Sequence, residues 1–263
     1  MLTWVRALAA ASMVLCAAIA GDAAAQTLTN GGFETFTPGS GPDYGIQGTR
    51  LGSWSFGGSG GYPAVINSTI ANQSSSWLLN GTSVTLANPS TVSGTVAITA
   101  SPNAGNFVAF ENSSNSCACY IYTTVTGLTS GQSYNVSFYQ AGAVYSGGAS
   151  VATSDNWKVG WGTTAGASIL SQQTSAQVNT ADMTPPVATS GFSGWVSQQL
   201  TMVATGSSMV LSFMANHPVG AAQPPFALLD GVAITSTTTV PEPLSGALLV
   251  SGVIGLIALR RRR

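Results

Sequence analysis

Through its middle, the chain alternates short apolar runs with clusters of glycine, serine, asparagine and proline. Residues 133–140 show the pattern most clearly. Tyr134, Val136 and Phe138 fall on one side of an extended chain, and Asn135, Ser137 and Tyr139 on the other. Leu128-Thr129-Ser130-Gly131 just before them reads as a turn. The same alternation predicts strands over 95–100, 107–110, 120–125, 157–161, 195–203, 209–214 and 227–235. Residues 141–150 and 182–190 read as loops. No long helical period and no internal repeat stands between residues 26 and 239. Eight or more short strands separated by turns predict an all-β fold, a two-sheet β-sandwich of the jelly-roll kind.

The two ends of the chain depart from this pattern. Arg6, the apolar stretch 7–20 and Ala23-Ala24-Ala25 have the layout of a signal peptide over residues 1–25, cleaved between Ala25 and Gln26. Cys16 lies inside it. Leu15 before it is too bulky for a lipoprotein signal, so Cys16 is expected to be discarded. At the other end stand Pro241-Glu242-Pro243, then residues 244–259 with no charge, then Arg260, Arg261, Arg262 and Arg263. Prolines hold the segment extended, and the apolar run suits a short membrane helix matched by snorkelling arginines. The positive-inside rule keeps those arginines in the cytoplasm.

This tail resembles the PEP-CTERM sorting signal of Gram-negative bacteria: a Pro-Glu-Pro motif, a hydrophobic helix and a basic end, in that order. The same tail is also known as an ice-binding protein C-terminal domain, a label that carries no evidence of ice binding. The resemblance implies processing by an exosortase, an inner-membrane precursor, and a mature protein at the cell surface or in an exopolysaccharide matrix. The organisation expected is therefore signal peptide 1–25, sandwich 26–234, polar linker 235–239 and sorting segment 240–263.

Composition narrows the partners of the central domain. Its acids are Glu34, Asp43, Glu111, Asp155, Asp182 and Asp230; its bases are Arg50 and Lys158, with His217 the only histidine. Solubility rests on serine, threonine, glycine, asparagine and glutamine. No basic patch exists for nucleic acid. Neutral extracellular polymers fit such a surface better.

Asn30-Gly31-Gly32-Phe33-Glu34 near the start, Gly127-Leu128, Gly131 and Tyr134-Asn135-Val136-Ser137-Phe138 in the middle, and Leu229-Asp230-Gly231-Val232 near the end are similar to motifs of galactose-binding-like jelly rolls. An asparagine is commoner where Gly231 stands. In that family, equivalent acids on the terminal strands often hold a structural calcium. The resemblance implies a calcium ion on Glu34 and Asp230, with Asn30 adding an amide oxygen, a set of hard oxygens that calcium favours. The alternative is that Glu34 caps loop amides and Asp230 is a solvated or turn carboxylate.

Cys117 and Cys119 are two apart, at the outer limit of reach for a disulfide. In an exported protein a bridge in a turn is the expected reading, and no nearby base tunes a thiolate. Trp54, Tyr62, Trp77 and Tyr145, with Trp157 and Trp161, sit in polar, glycine-rich segments and are candidates for stacking on sugar rings. The alternative is that they are core. Catalysis has little support. His217 carries no nucleophile motif, and nothing in the sequence brings Glu111 and Asp155 together. The expectation is a non-enzymatic protein that is adhesive, sugar-binding or structural, with extracellular polysaccharide as a candidate partner.

Overall fold

A computed structural model describes residues 26–41, 43–46, 50–58, 61–112, 120–148, 156–165, 177–179, 191–216 and 226–237. The chain divides into a compact unit, Gln26–Ser236, and a second unit of Met1–Ala25 and Thr237–Arg263. Of the second unit only Thr237 is described, so the expected signal peptide and sorting tail lie outside the described residues.

The compact unit is built of strands. They are β1 (Ser55–Gly57), β2 (Gly61–Asn67), β3 (Trp77–Leu79), β4 (Thr82–Val84), β5 (Asn106–Asn112), β6 (Tyr120–Thr126), β7 (Ser133–Ala143), β8 (Asn156–Gly162), β9 (Gln177–Asn179), β10 (Val196–Val203), β11 (Ser208–Asn216) and β12 (Phe226–Ser236). A single turn of helix, α1 (Ser68–Ala71), follows β2, and the Asn67 side chain caps it by accepting the Ile70 N–H at 3.0 Å.

One sheet runs β1-β6-β11-β8-β9 and the other β10-β7-β12-β5-β2, every pair antiparallel; β3 and β4 form a separate hairpin. From β5 to β8, and again from β10 to β12, each strand lies in the opposite sheet from the one before. That alternation is the jelly-roll sandwich expected from the strand pattern.

Between the sheets the side chains that point inward are aromatic or branched. Phe213 on β11 is central. Its ring lies 5.1 Å from Phe138, 6.0 Å from Trp157 and 6.1 Å from Trp54. Burying an indole requires a partner for its N–H. Trp54 donates to the Asn30 carbonyl at 3.0 Å, Trp157 to Leu228 at 3.2 Å and Trp161 to Val203 at 2.9 Å.

The second sheet is covered on its outer side as well. Ala64, Phe107, Ala109, Ala141, Phe226 and Leu228 face outward and pack under Trp77, Leu79, Val84, Leu86 and Ile98. The β3-β4 hairpin and the segment after it therefore form a third layer over part of that sheet.

Three expectations need correction. Residues 95–100 are not a strand. Asn72 takes the place of a neighbouring strand at Ile98: it accepts the Ile98 N–H at 2.9 Å and donates to the Ile98 carbonyl at 2.8 Å. The loop expected from 141 begins later, because β7 continues to Ala143 through its pairing with Phe226. The linker expected from Thr235 also begins later, since Thr235 and Ser236 pair with Asn135 and Tyr134.

Candidate functional site

The first candidate is an acidic junction where distant segments meet. Asp230 lies on β12 beside a register shift between Asp230 and Ala233, and it is 0% exposed. Gly231 after it has φ of 61°, a left-handed conformation suited to a residue without a Cβ. The Ser101 hydroxyl and the Gly231 N–H donate to the Asp230 carboxylate, the latter at 2.6 Å, and the Asn103 side chain adds a third bond. Burial first, and then the neighbouring charge of Glu34, nevertheless push the Asp230 pKa up to about 7 against those donors.

Glu34 accepts the Asn106 N–H at 2.8 Å, and Gly105 leaves the space in which its carboxylate sits. Nearby, Val232 N–H donates to the Gly31 carbonyl at 2.9 Å, tying the first segment to the last strand. Asn30 is engaged in its own loop. It accepts the Thr35 N–H at 2.9 Å and donates to the Thr35 and Leu51 carbonyls. So Glu34 does cap a loop amide, and Asp230 is sealed rather than solvated. Two neighbouring carboxylates, one of them buried with only neutral donors, suit a hard cation in charge and in donor type. Among the described residues no group of three or more His, Cys, Asp or Glu side chains converges, so further ligands there would be carbonyls or water.

The aromatic candidates separate clearly. Trp54, Trp77, Trp157 and Trp161 are core and offer no platform. Trp54 and Trp77 therefore correct the sugar-stacking expectation. Trp54 follows a turn closed by its own N–H donating to the Leu51 carbonyl at 3.0 Å, and Trp77 lies on β3. Tyr145 is half-buried and packs on the layer above the second sheet. Tyr62 lies on β2 in register with Glu111. Glu111 is half-buried on the outer side of β5, and burial raises its pKa. Cys117, Cys119, Asp155, Asp182 and His217 lie outside the described residues, as do Pro241, Glu242, Pro243 and Arg260 to Arg263.

A second candidate was missed by sequence reasoning: the outer side of the first sheet. On β6, inward Ile121 and Val125 alternate with outward Tyr120, Tyr122 and Thr124. The two tyrosine rings lie 5.7 Å apart at 50°. Gly57 is paired with Tyr120, and a Cβ there would meet the tyrosine ring at 2.6 Å, so the bare glycine lets the ring cross β1. Ser212 on β11 lies beside Tyr122 on one side and Gly160 of β8 on the other. Asn156, Lys158 and Gly162 complete the outward side of β8, with Lys158 opposite Met214. Tyr122 and Lys158 are half-buried, Tyr120 is 8% exposed, and Ser212 is buried. Burial raises the Tyr120 pKa, and Tyr122 adds to the effect. The signal lay in Tyr-Ile-Tyr itself, two aromatic rings at strand spacing on one side.

No family model and no curated relative matches this chain. Solved structures do. A TmCBM61 structure in complex with β-1,4-galactotriose is 14% identical, covers 81% of this chain and 99% of that one, and has a TM-score of 0.41. The CBM22-1-CBM22-2 tandem domain of Paenibacillus barcinonensis Xyn10C is 14% identical over 84% of this chain and 49% of that one, with a TM-score of 0.42. The K1 cleaved adhesin domain of Lys-gingipain from Porphyromonas gingivalis is 13% identical over 74% and 94%, with a TM-score of 0.41. Likeness at this level extends no further than the β-sandwich architecture.

Proposed function

We propose that this chain is an exported, non-enzymatic carbohydrate-binding protein of a bacterial surface or exopolysaccharide matrix. Its glycan lies on the outer side of the β1-β6-β11-β8-β9 sheet. The observation that carries this reading is the Tyr120–Tyr122 pair beside Ser212 and the glycines of β8. Aromatic faces take the C–H side of a sugar, and hydroxyl, amide and ammonium groups take its hydroxyls.

The places of the described acids support the non-enzymatic part of this reading. Glu34 and Asp230 are the neighbouring carboxylates among the described residues, and they are occupied in a junction away from the tyrosine face. That junction is the proposed calcium site. The ion would be held by Glu34 and Asp230, and it would supply positive charge to a buried carboxylate rather than chemistry on a ligand. Export and exosortase sorting rest on the Pro241-Glu242-Pro243 motif, the membrane segment 244–259 and the terminal arginines.

A glycan-array screen with neutral and acidic polysaccharides tests the binding reading. Saturable binding that Tyr122→Ala abolishes without lowering Tm is the expected result. Failure to bind any glycan would overturn it in favour of a structural coat protein. For the tail, Glu242→Ala is expected to leave an unprocessed inner-membrane form. Normal processing of that variant would remove the sorting claim.

A further inference from the structure

We infer that β10 is a self-association edge, and that two copies of this chain pair through it into one continuous sheet. β10 is the end strand of its sheet, and among the described residues nothing is hydrogen-bonded to its other side. It is eight residues long and reads Val-Ser-Gln-Gln-Leu-Thr-Met-Val, without charge, proline or glycine. Natural edges are usually blunted by shortness, charge, proline, a bulge or a covering segment. The other edges here have such protection. β1 and β9 are three residues each. β2 carries Pro63, and its free side is closed by Ile46 N–H donating to Pro63 and Val65 N–H donating to Tyr44, both at 2.9 Å.

Side-chain chemistry selects a second copy as the occupant. Val196 and Val203, at the two ends of β10, are 52% and 50% exposed. Antiparallel pairing about a twofold axis requires facing residues to lie on the same side of the sheet. A register centred on Gln199 meets that condition. It sets Val196 against Met202 of the second copy, Trp195 against Val203, Ser197 against Thr201, and Gln199 against its own counterpart. Apolar meets apolar at the ends, amide meets amide at the centre, and Gln198 faces Leu200 between them. No pair places like charges together. One eight-residue strand pair buries less than the ~1,200 Å² of a stable interface. The association is therefore weak and concentration-dependent, which suits a protein packed at high local density.

Sedimentation velocity of the full chain in detergent, over a concentration series up to about 1 mM, reads this directly. Wild type is expected to form a reversible dimer. Ser197→Lys/Gln199→Lys, both exposed positions, is expected to weaken it at least ~10-fold by setting lysines across the axis, with Tm unchanged. Ser208→Lys on β11 is the control and is expected to dimerise normally. Oxidation of Gln199→Cys is expected to trap a disulfide dimer above the wild-type background on non-reducing gels, and that of Ser208→Cys is not. A wild-type monomer throughout the series, or a dimer indifferent to the lysine pair, would overturn the inference. The test is independent of glycan binding.

Discussion

The two sheets share a core but have opposite outer sides. The second sheet turns Phe107, Ala109, Phe226 and Leu228 outward, and the chain spends α1, β3, β4 and the residues after them covering these. The first sheet turns Tyr120, Tyr122, Ser212 and Lys158 outward, with Gly160 and Gly162 between. A sheet side made of alanine and phenylalanine is stable only when something apolar lies on it. A side mixing phenol, hydroxyl, amide and ammonium groups has no such need of an apolar cover. The first arrangement is scaffold. The second is the side proposed for recognition.

Substitutions sharpen this contrast. The largest effect is expected from Trp77→Ala, which empties the layer above the second sheet and should cost about 3–5 kcal/mol. Urea unfolding measures it, and a loss below ~1 kcal/mol would show that the layer is not core.

The junction comes next, through pH. Because the folded-state pKa of Asp230 is raised from 3.8 to about 7, the folded state holds its proton where the unfolded state has released it. Stability in chelator should therefore be highest below the ordinary carboxylate range and fall as pH rises toward about 7. Asp230→Asn should flatten that fall, and added calcium should reverse it, since an ion bound only to the folded state raises Tm. Glu111, raised by burial, adds to the fall with the same sign, so the informative quantity is the difference made by Asp230→Asn.

A smaller comparison separates two buried indoles. Trp54→Phe gives up the bond to the Asn30 carbonyl, whereas the Trp77 N–H is buried without a partner among the described residues. Trp54→Phe should cost roughly 1 kcal/mol more than Trp77→Phe. Equal costs would mean that the Asn30 bond contributes nothing. Smallest in stability is Tyr122→Ala on the outer side of the first sheet, expected to change unfolding by under ~1 kcal/mol while removing glycan binding. A large destabilisation would place Tyr122 with the scaffold.

Much of the sandwich was legible because period-two alternation marks half-buried strands: β5, β6, β7, β8, β10, β11 and β12 each overlap an expected stretch. The three-residue strands β1, β3, β4 and β9 are too short to show any period, and β2 was hidden by Gly61 and Pro63. Residues 95–100 show the converse. Alternation records an extended backbone, but not whether a strand or the Asn72 amide satisfies it. In the junction, Glu34 and Asp230 were named on resemblance, while Ser101 and Asn103, which hold Asp230, carry no signal in a Ser-Pro-Asn turn. The tryptophans misled because the turns around Trp54 and Trp77 are polar while the indoles point inward. Tyr120 and Tyr122 were passed over because a strand pattern gives two sides without saying which one meets the opposite sheet.

The place of β12 sets the order in which this molecule can come into being. Of the described strands it is the last made, yet it lies at the centre of its sheet, between β7 and β5, and carries the Asp230 that Ser101 holds. A growing chain without it has β10-β7 and β5-β2 as separate ribbons with no shared strand between them. Closure therefore waits for nearly the whole domain to emerge. Contacts of such long sequence separation make folding slow and late. A polypeptide that stays open until its final strand arrives remains threadable for longest, which is the state a translocation channel requires.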